Sequence, residues 1–371
     1  MTHRPDIVVL GAGYAGLNAA LRLALNPHVT VTLIDPSDHF TERVRLHQLT
    51  TGRPEVSVTH PLSVLLRGTR IRHLAARAVD LDRAGRQLRT DDGRTVSYDR
   101  LVYALGSVTD TRAASDTRAA QDAAESGPAG ASERAYTAES AAELGKRLLD
   151  GPGRLAVVGG GLTGVELAAE IAESHPEWEV RLLTAGTLGA GLSGKGRTHV
   201  RTTLGAMGVR VREGDRVASA DDVDADVVVW SAALRPRTEL AAAAGLELDA
   251  AGRIVVDRTL RSASDPAVYA AGDAAATSLR MACATAMPTG AHAAASVLAG
   301  IGSRPTRPLA FRYVMQCISL GRDDGLIQPV HGDDSPRGSV LTGRPAAFVK
   351  EQVVRSTVRS LRVAASLARA R

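Results

Sequence analysis

The sequence predicts an α/β fold containing two Rossmann-like units, and three observations carry that prediction. The pattern G-x-G-x-x-G occurs twice, at Gly11, Gly13 and Gly16 and again at Gly159, Gly161 and Gly164. Each copy follows a short apolar run, Ile7-Val8-Val9-Leu10 in one case and Leu155-Ala156-Val157-Val158 in the other. Each precedes an Ala/Leu-rich stretch of helical period and then a second apolar run. A short continuous apolar run bounded by glycine reads as a buried strand, and apolar residues at helical spacing read as an amphipathic helix. Two parallel strands need such a helix to cross between them, so each copy predicts a βαβ unit.

In chain order, 6–10 is the first expected strand and 14–26 the first helix. Leu17, Leu21, Ala24 and Leu25 form the apolar face of that helix, Asn26-Pro27 ends it, and 29–35 is the next strand. Residues 109–134 are rich in Ala, Ser, Asp, Arg and Gly, lack apolar periodicity and read as a linker. The second unit repeats the plan: strand 154–158, helix 162–174, strand 178–184.

The glycines have separate tasks. Gly11 permits the tight turn after the strand, Gly13 lets backbone approach a pyrophosphate, and Gly16 lets helix pack on strand. The helix N-terminus, with its free N–H groups and positive dipole end, then faces the phosphates. Asp35 closes the second strand, where a carboxylate accepts hydrogen bonds from the hydroxyls of an adenosine ribose and repels a 2′-phosphate. The second unit ends in Thr184 instead. NADP is therefore not repelled there and NAD loses a contact, so NADH and NADPH both stay open. Lys195 and Arg197 can reach a 2′-phosphate but read first as solvated charges. Glu166 lies early in the second helix, next to a site for an anion. It reads either as a favourable helix-dipole charge or as a group touching the nicotinamide end or the flavin edge.

Composition narrows the class. Of 371 residues 44% are apolar but only 3% aromatic, so ordinary cores must be built from Ala, Val and Leu. No stretch reaches the roughly 20 apolar residues that span a bilayer. The N-terminus carries no apolar leader pattern, and Cys283 and Cys317 form no close pair, so a reducing cytoplasm is expected. The net charge of +5 comes mostly from Arg, with no basic patch interleaved with aromatics, and no nucleic-acid role is expected. No metal-ligand cluster and no nucleophilic triad stands out.

Three further segments carry a resemblance: Tyr98 to Ser107, Ala225 to Pro236, and Val268-Tyr269-Ala270-Ala271-Gly272-Asp273. With the two glycine motifs, they resemble the flavoproteins of the pyridine nucleotide-disulfide oxidoreductase type. The resemblance implies FAD in the first unit and NADH or NADPH in the second. It implies that the FAD domain is discontinuous, with the NAD(P) domain inserted, and that Asp273 meets the flavin ribityl chain. The division expected is 1–108 for the first part of the FAD domain, 109–134 for the linker and 135–253 for the NAD(P)H domain. Residues 254–303 complete the FAD domain, and 304–371 form a C-terminal segment. The FAD contacts implied are Gly11, Ala12, Gly13, Ala15, Gly16, Asp35, Arg43, Gln48, Val79, Ala104, Gly106, Gly272 and Asp273. Those to the nicotinamide nucleotide are Gly159, Gly161, Leu162, Thr163, Gly164 and Glu166, and Glu166 is the one catalytic candidate.

Within that superfamily the chain looks most like type II NADH:quinone dehydrogenases and the related ferroptosis-suppressor and apoptosis-inducing-factor-like flavoproteins. Asp35 to Phe40 followed by Arg43, Arg45, His47 and Gln48 supports this. So does Met281 to His292, where that family places a helix under the flavin ring. Met287, Pro288 and His292 are therefore acceptor-side candidates, although His292 reads first as a packing histidine. The glutamine-rich acceptor motif of quinone reductases is absent. A quinone is the first expectation for the acceptor, with a protein, oxygen or a small metabolite as alternatives, and a slow redox sensor as a different class. Arg355, Arg359 and Arg362 form a basic stripe on a C-terminal helix, with Val349, Val353, Leu361 and Leu367 expected on its apolar side. That helix reads first as docked on the FAD domain with a basic outer face; peripheral membrane contact through it is the alternative, and a homodimer completes the expectations.

Overall fold

The computed structural model describes residues 4–111 and 134–369. The expected linker lies, apart from its ends, outside the described residues.

The first sheet is parallel and five-stranded. It contains β1 (Asp6–Leu10), β2 (Thr30–Ile34), β3 (Ile71–Leu74) and β7 (Arg100–Tyr103), with helix α1 (Tyr14–Leu23) crossing from β1 to β2. A small antiparallel meander, β4 (Ala78–Asp82), β5 (Gln87–Thr90) and β6 (Thr95–Ser97), lies between β3 and β7. The second sheet is again parallel and five-stranded: β8 (Ala135–Tyr136), β9 (Arg154–Val158), β10 (Glu179–Thr184), β11 (Arg210–Glu213) and β12 (Val227–Trp230), in the order β8-β12-β9-β10-β11. Helices α2 (Ala141–Leu149), α3 (Leu162–Ser174) and α4 (Gly194–Ala206) cover it.

The chain then returns. Strand β13 (Val268–Ala270) pairs with β7, giving the first sheet the order β13-β7-β1-β2-β3. Helix α5 (Cys283–Ile301) follows and packs against α1. Three antiparallel strands, β14 (Met315–Ser319), β15 (Gly325–Pro329) and β16 (Leu341–Thr342), and the long helix α6 (Gly343–Arg369) form a C-terminal module. Central strands buried on both faces read as unbroken apolar runs, and Ile7 to Leu10 and Leu155 to Val158 are all buried.

Close backbone approaches fix how the layers meet. Gly290 of α5 lies so near α1 that a Cβ there would overlap the Ala15 carbonyl. Gly145 of α2 lies against Leu49 in the same way, which seats the second unit on the 3-10 segment Arg43–Thr51. The buried ring of His175, at the end of α3, hydrogen-bonds the Thr50 carbonyl at 2.6 Å across the same seam.

Several expected details change. Helix α1 stops at Leu23, because Ala24 caps it and Asn26 closes a turn onto the Leu23 carbonyl. The run Ala274-Ala275-Ala276 has the composition of a helix start, but Gly272–Ala274 is one 3-10 turn and Ala275–Ala276 pairs as a strand with Ile254–Val255, so the helix waits until Cys283. On α6 the buried stripe is Val354, Val358, Leu361, Ala365 and Ala368. Leu361 faces inward as expected, but Val353 and Leu367 are exposed. The docking stripe repeats at heptad-like spacing, and a neighbour one position away is turned by roughly 100°.

Candidate active site

The two glycine turns are near copies. The Gly11 amide donates to the Ile34 carbonyl at 2.9 Å, and the Gly159 amide donates to the Leu183 carbonyl at 2.8 Å. Gly11 has φ +96° and Gly159 φ +130°, in the region that favours glycine. A Cβ on Gly11 would overlap the Ala104 carbonyl, and one on Gly159 would lie 2.6 Å from the Ser231 carbonyl carbon. A Cβ on Gly16 would overlap the Gly11 carbonyl, and Gly164 stands in the same relation to Gly159. In contrast, a Cβ on Gly13 or Gly161 would meet nothing within 4 Å. Each of these is the N-cap of its helix and gives no side-chain cap. Both helices thus begin with uncapped N–H groups facing open space, which is what a pyrophosphate needs.

The first cradle has its acids in place. Asp35 Oδ2 accepts from the Ala12 amide at 2.7 Å and Oδ1 from the Ser37 amide at 2.8 Å. Two backbone donors fix the carboxylate, and its remaining lone pairs are left for hydroxyls. Asp273 follows β13 on the 3-10 turn, after Gly272 at φ +67°. Its Oδ2 accepts from Ser107 Oγ at 2.6 Å, and its buried Oδ1 has no partner. Burial pushes the Asp273 carboxyl above its ordinary value, and Ser107 and Arg43 offset only part of this. A buried acceptor without a donor is costly, and a ribityl hydroxyl supplies that donor. The residues present therefore fit FAD, for which Asp35 and Asp273 would be the acceptors toward its hydroxyls.

Gly106, at φ +71° with open space where a Cβ would point, and the buried Ala104 edge the same turn. Ala12 and Ala15 are buried beneath it, and a Cβ on Gly272 would lie 3.0 Å from that of Ala15. Arg43 leaves toward the second unit and pairs with Glu139 at 3.0 Å. Val79 is 48% exposed at a bulge in β4, and nothing in the structure brings its side chain to the cradle.

In the second cradle Thr184 occupies the position that Asp35 holds in the first, since Leu183 pairs with Val158 as Ile34 pairs with Leu10. Thr184 is buried against Gly160. Thr163 is exposed and Leu162 half-buried at the start of α3. Ser231 Oγ is buried without a partner beside Gly159. It was not singled out from the sequence. Arg197 spends a donor on the Leu192 carbonyl at 2.7 Å.

Glu166 turns away from this cradle. It lies beyond the first turn of α3, so the helix-dipole reading does not hold. Its Oε1 pairs with Lys350 Nζ of α6 at 2.7 Å and accepts from the Ser319 amide of β14 at 2.9 Å. Lys350 also donates to the Cys317 carbonyl at 3.2 Å. Burial pushes the Glu166 carboxyl up, but Lys350, His47 and the Ser319 amide outweigh it and the net direction is down. Burial pushes Lys350 down, and Glu166 reverses that. His47 faces the pair and is driven by burial from its ordinary value of 6.5 to about 4, so its ring is neutral. The first unit, the second unit and the C-terminal module meet at this half-buried ion pair. Lys350 was missed from the sequence. The available signal was its rarity, as one of three lysines in a chain whose other cations are arginines.

Gln48 lies on the rim of the same junction, where its Oε1 accepts from Arg53 at 3.1 Å. Met287 and Pro288 are half-buried in α5, and the Met287 carbonyl accepts from the buried Asn18 amide at 2.7 Å. His292 lies nine residues past the start of α5, about 13 Å along its axis at 1.5 Å per residue. Its surroundings are Asp257 and the Arg307 backbone, and the structure does not bring it to the Glu166–Lys350 pair. Cys283 and Cys317 are both free thiols. Among the described residues no cluster of His, Cys, Asp or Glu could hold a metal ion, and no helix is long and apolar enough to cross a membrane.

Two parallel-sheet units with open glycine cradles, one of them completed by a returning strand, define a two-nucleotide flavoprotein oxidoreductase. The chain belongs to the pyridine nucleotide-disulphide oxidoreductase family, whose model matches residues 5–298. It is 27% identical over 194 residues to the type II NADH:quinone oxidoreductase of Staphylococcus aureus (strain NCTC 8325 / PS 47), a match covering 47% of this chain and 44% of the relative. That match spans less than half the length of the curated relatives. The fold is similar to that of the sulfide:quinone oxidoreductase of Aquifex aeolicus, with TM-score 0.77, 17% identity and coverage of 97% and 92% of the two chains. It is also similar to NDH2 from Plasmodium falciparum in complex with NADH, with TM-score 0.75, 15% identity and coverage of 99% and 97%. FAD and a nicotinamide nucleotide are the two groups that membership of this family implies for the two cradles.

Proposed function

We propose that this chain is an FAD-dependent NAD(P)H dehydrogenase that reduces a small acceptor, a quinone in the first instance. The observation that carries this reading is the unequal pair of cradles. One holds Asp35 and the unpaired Asp273 oxygen, as a resident dinucleotide requires; the other holds Thr184 and an exposed start to its helix, as an exchanging one does. FAD supplies the capacity to take a hydride from one substrate and return two electrons to another. The quinone that the Staphylococcus and Aquifex proteins are named for favours a quinone as the second substrate.

The net change is NAD(P)H plus a proton plus quinone giving NAD(P)⁺ plus quinol. One proton of the quinol is therefore drawn from solvent. The Glu166–Lys350 pair is the protein's means of handling it. Lys350, protonated beside an ionised Glu166, is a donor that an anionic product draws on, and His47 stays neutral and leaves that charge balance undisturbed. Gly13, Gly161, Leu162 and Thr163 bind phosphate through backbone. Asp35 and Asp273 would hold and orient the resident cofactor above the buried strands of the first sheet. The outer face of α6, where Phe348, Val363 and Leu367 are exposed beside Arg359 and Arg362, is the surface proposed for peripheral contact with an anionic membrane.

Steady-state oxidation of NADH and of NADPH against quinones, ferricyanide and oxygen tests the proposal. Turnover with a quinone well above that with oxygen is expected. Turnover with ferricyanide alone would remove the quinone and leave the dehydrogenase.

A further inference from the structure

The junction around Lys350 encloses a cavity of about 300 Å³, and its walls are charged rather than apolar. Arg45, Arg53, Arg322, Lys350 and Arg355 line it against two carboxylates, Glu170 and Glu351. Hydrocarbon comes only from Val44, Ala347 and Val354. Small-molecule pockets that hold apolar ligands are lined mainly by apolar side chains, so an isoprenoid tail has no wall here to lie against. The cations are not all consumed internally. Arg45 is spent on Glu42 and Glu351, and Arg322 on Glu170. Arg355 commits its Nε to Glu351 at 2.6 Å. Among the described residues Arg53 forms no close ion pair and makes one hydrogen bond, to Gln48 Oε1, although its charge also acts on Glu170. Two guanidinium groups thus line the cavity, one after the 3-10 segment and one from α6, with donors to spare. A planar guanidinium fork matches a carboxylate, sulfonate or phosphate.

The inner wall of this cavity is Lys350, which pairs with Glu166. Cys283, in the first turn of α5, lies within electrostatic reach of Lys350, Glu166 and Asp273 together. Lys350 of the cavity wall and Asp273 of the first cradle thus both lie near Cys283.

We infer that the acceptor is anionic: a water-soluble quinone or similar two-electron acceptor bearing a carboxylate, sulfonate or phosphate, which Arg53 and Arg355 hold at the cavity mouth. This rests on the reading of the chain as a dehydrogenase with a small acceptor. The electron balance is unchanged, because the acidic group stays on the acceptor and takes no part in the transfer.

The test compares a naphthoquinone sulfonate with unsubstituted naphthoquinone as acceptors for the FAD-loaded wild type and for the R53Q/R355Q double variant. The ratio of kcat/KM for the sulfonate to that for the neutral quinone should fall about tenfold or more in the variant. Both values come from one protein, so a loss of folded enzyme cancels in the ratio. Calorimetric titration of the oxidised holoprotein with the sulfonate, without nucleotide, should give one-site binding that is lost in the variant and weakened by salt. An unchanged ratio together with unchanged binding overturns the inference. Failure of both nucleotides to reduce the flavin would instead overturn the dehydrogenase reading, while the titration still reports on the cavity.

Discussion

Asp273 illustrates how a single side chain records an absent partner. One of its oxygens is held by Ser107, and the other is buried with nothing to accept from. Replacing it with alanine removes a charge-assisted hydrogen bond to the cofactor, a loss of about 1.5–3 kcal/mol, or roughly ten- to hundredfold in Kd. The flavin-to-protein absorbance ratio of dialysed D273A should therefore be well below that of the wild type; equal ratios would remove Asp273 from the site. Thr184 makes the complementary case. T184D restores the missing ribose acid and should raise the KM for NADPH about tenfold while that for NADH changes little, since a carboxylate there repels the 2′-phosphate. Thr184 was visible in the sequence because it ends a strand at a fixed offset from a glycine turn, and Asp273 through the family resemblance that its Gly-Asp segment carries. Ser231 and Lys350 were not, because their roles depend on neighbours distant in the chain.

At the scale of elements, the packing of α5 on α1 decides whether the first cradle exists. Gly290 lies on the Ala15 backbone at that crossing. A β-branched residue there must push the helices apart, a change of about 1–3 kcal/mol. G290V should lower the thermal midpoint and shed FAD together; a lower midpoint with full flavin content would separate the two helices' packing from the cradle. The strands and helices of both glycine units were legible because their buried strands are unbroken apolar runs and their helices begin at glycine. The 3-10 turn at Gly272 and the exposed face of α6 were less so. A tripeptide of alanines suits either helix or strand, and only its pairing with Ile254–Val255 decided between them. Val353 and Leu367 are as apolar as the residues that dock, and nothing local marks the turn of the helix that faces the protein.

At the scale of the whole molecule, the half-buried ion pair at the junction of three modules makes stability depend on pH. His47 faces Glu166, Lys350, Arg45 and Arg322. The unfolded chain takes a proton on this ring near pH 6.5 and the folded chain only near 4, so unfolding binds a proton in between and stability falls as pH drops through that window. Glu166, with a lowered folded pKa, contributes above its unfolded value and loses that contribution at still lower pH. Lys350, with a raised one, contributes below its unfolded value of 10.5 and loses it as pH rises past that. Thermal midpoints should therefore be flat near neutrality and fall on both sides. H47Q should flatten the limb between pH 6.5 and 4, and an unchanged limb would place the titration elsewhere. Truncating one partner, as in K350M, leaves a half-buried carboxylate uncompensated and should cost about 3 kcal/mol, seen as a lower urea midpoint.

The central claim is that electrons enter through two unequal cradles, from an exchanging nicotinamide to a resident flavin. Anaerobic addition of NADH or NADPH to the purified yellow protein, followed at the flavin absorption band, tests it most directly. Bleaching by at least one nucleotide in a single stoichiometric step is predicted. A protein that purifies without flavin, or whose oxidised flavin is unmoved by both nucleotides, would contradict it.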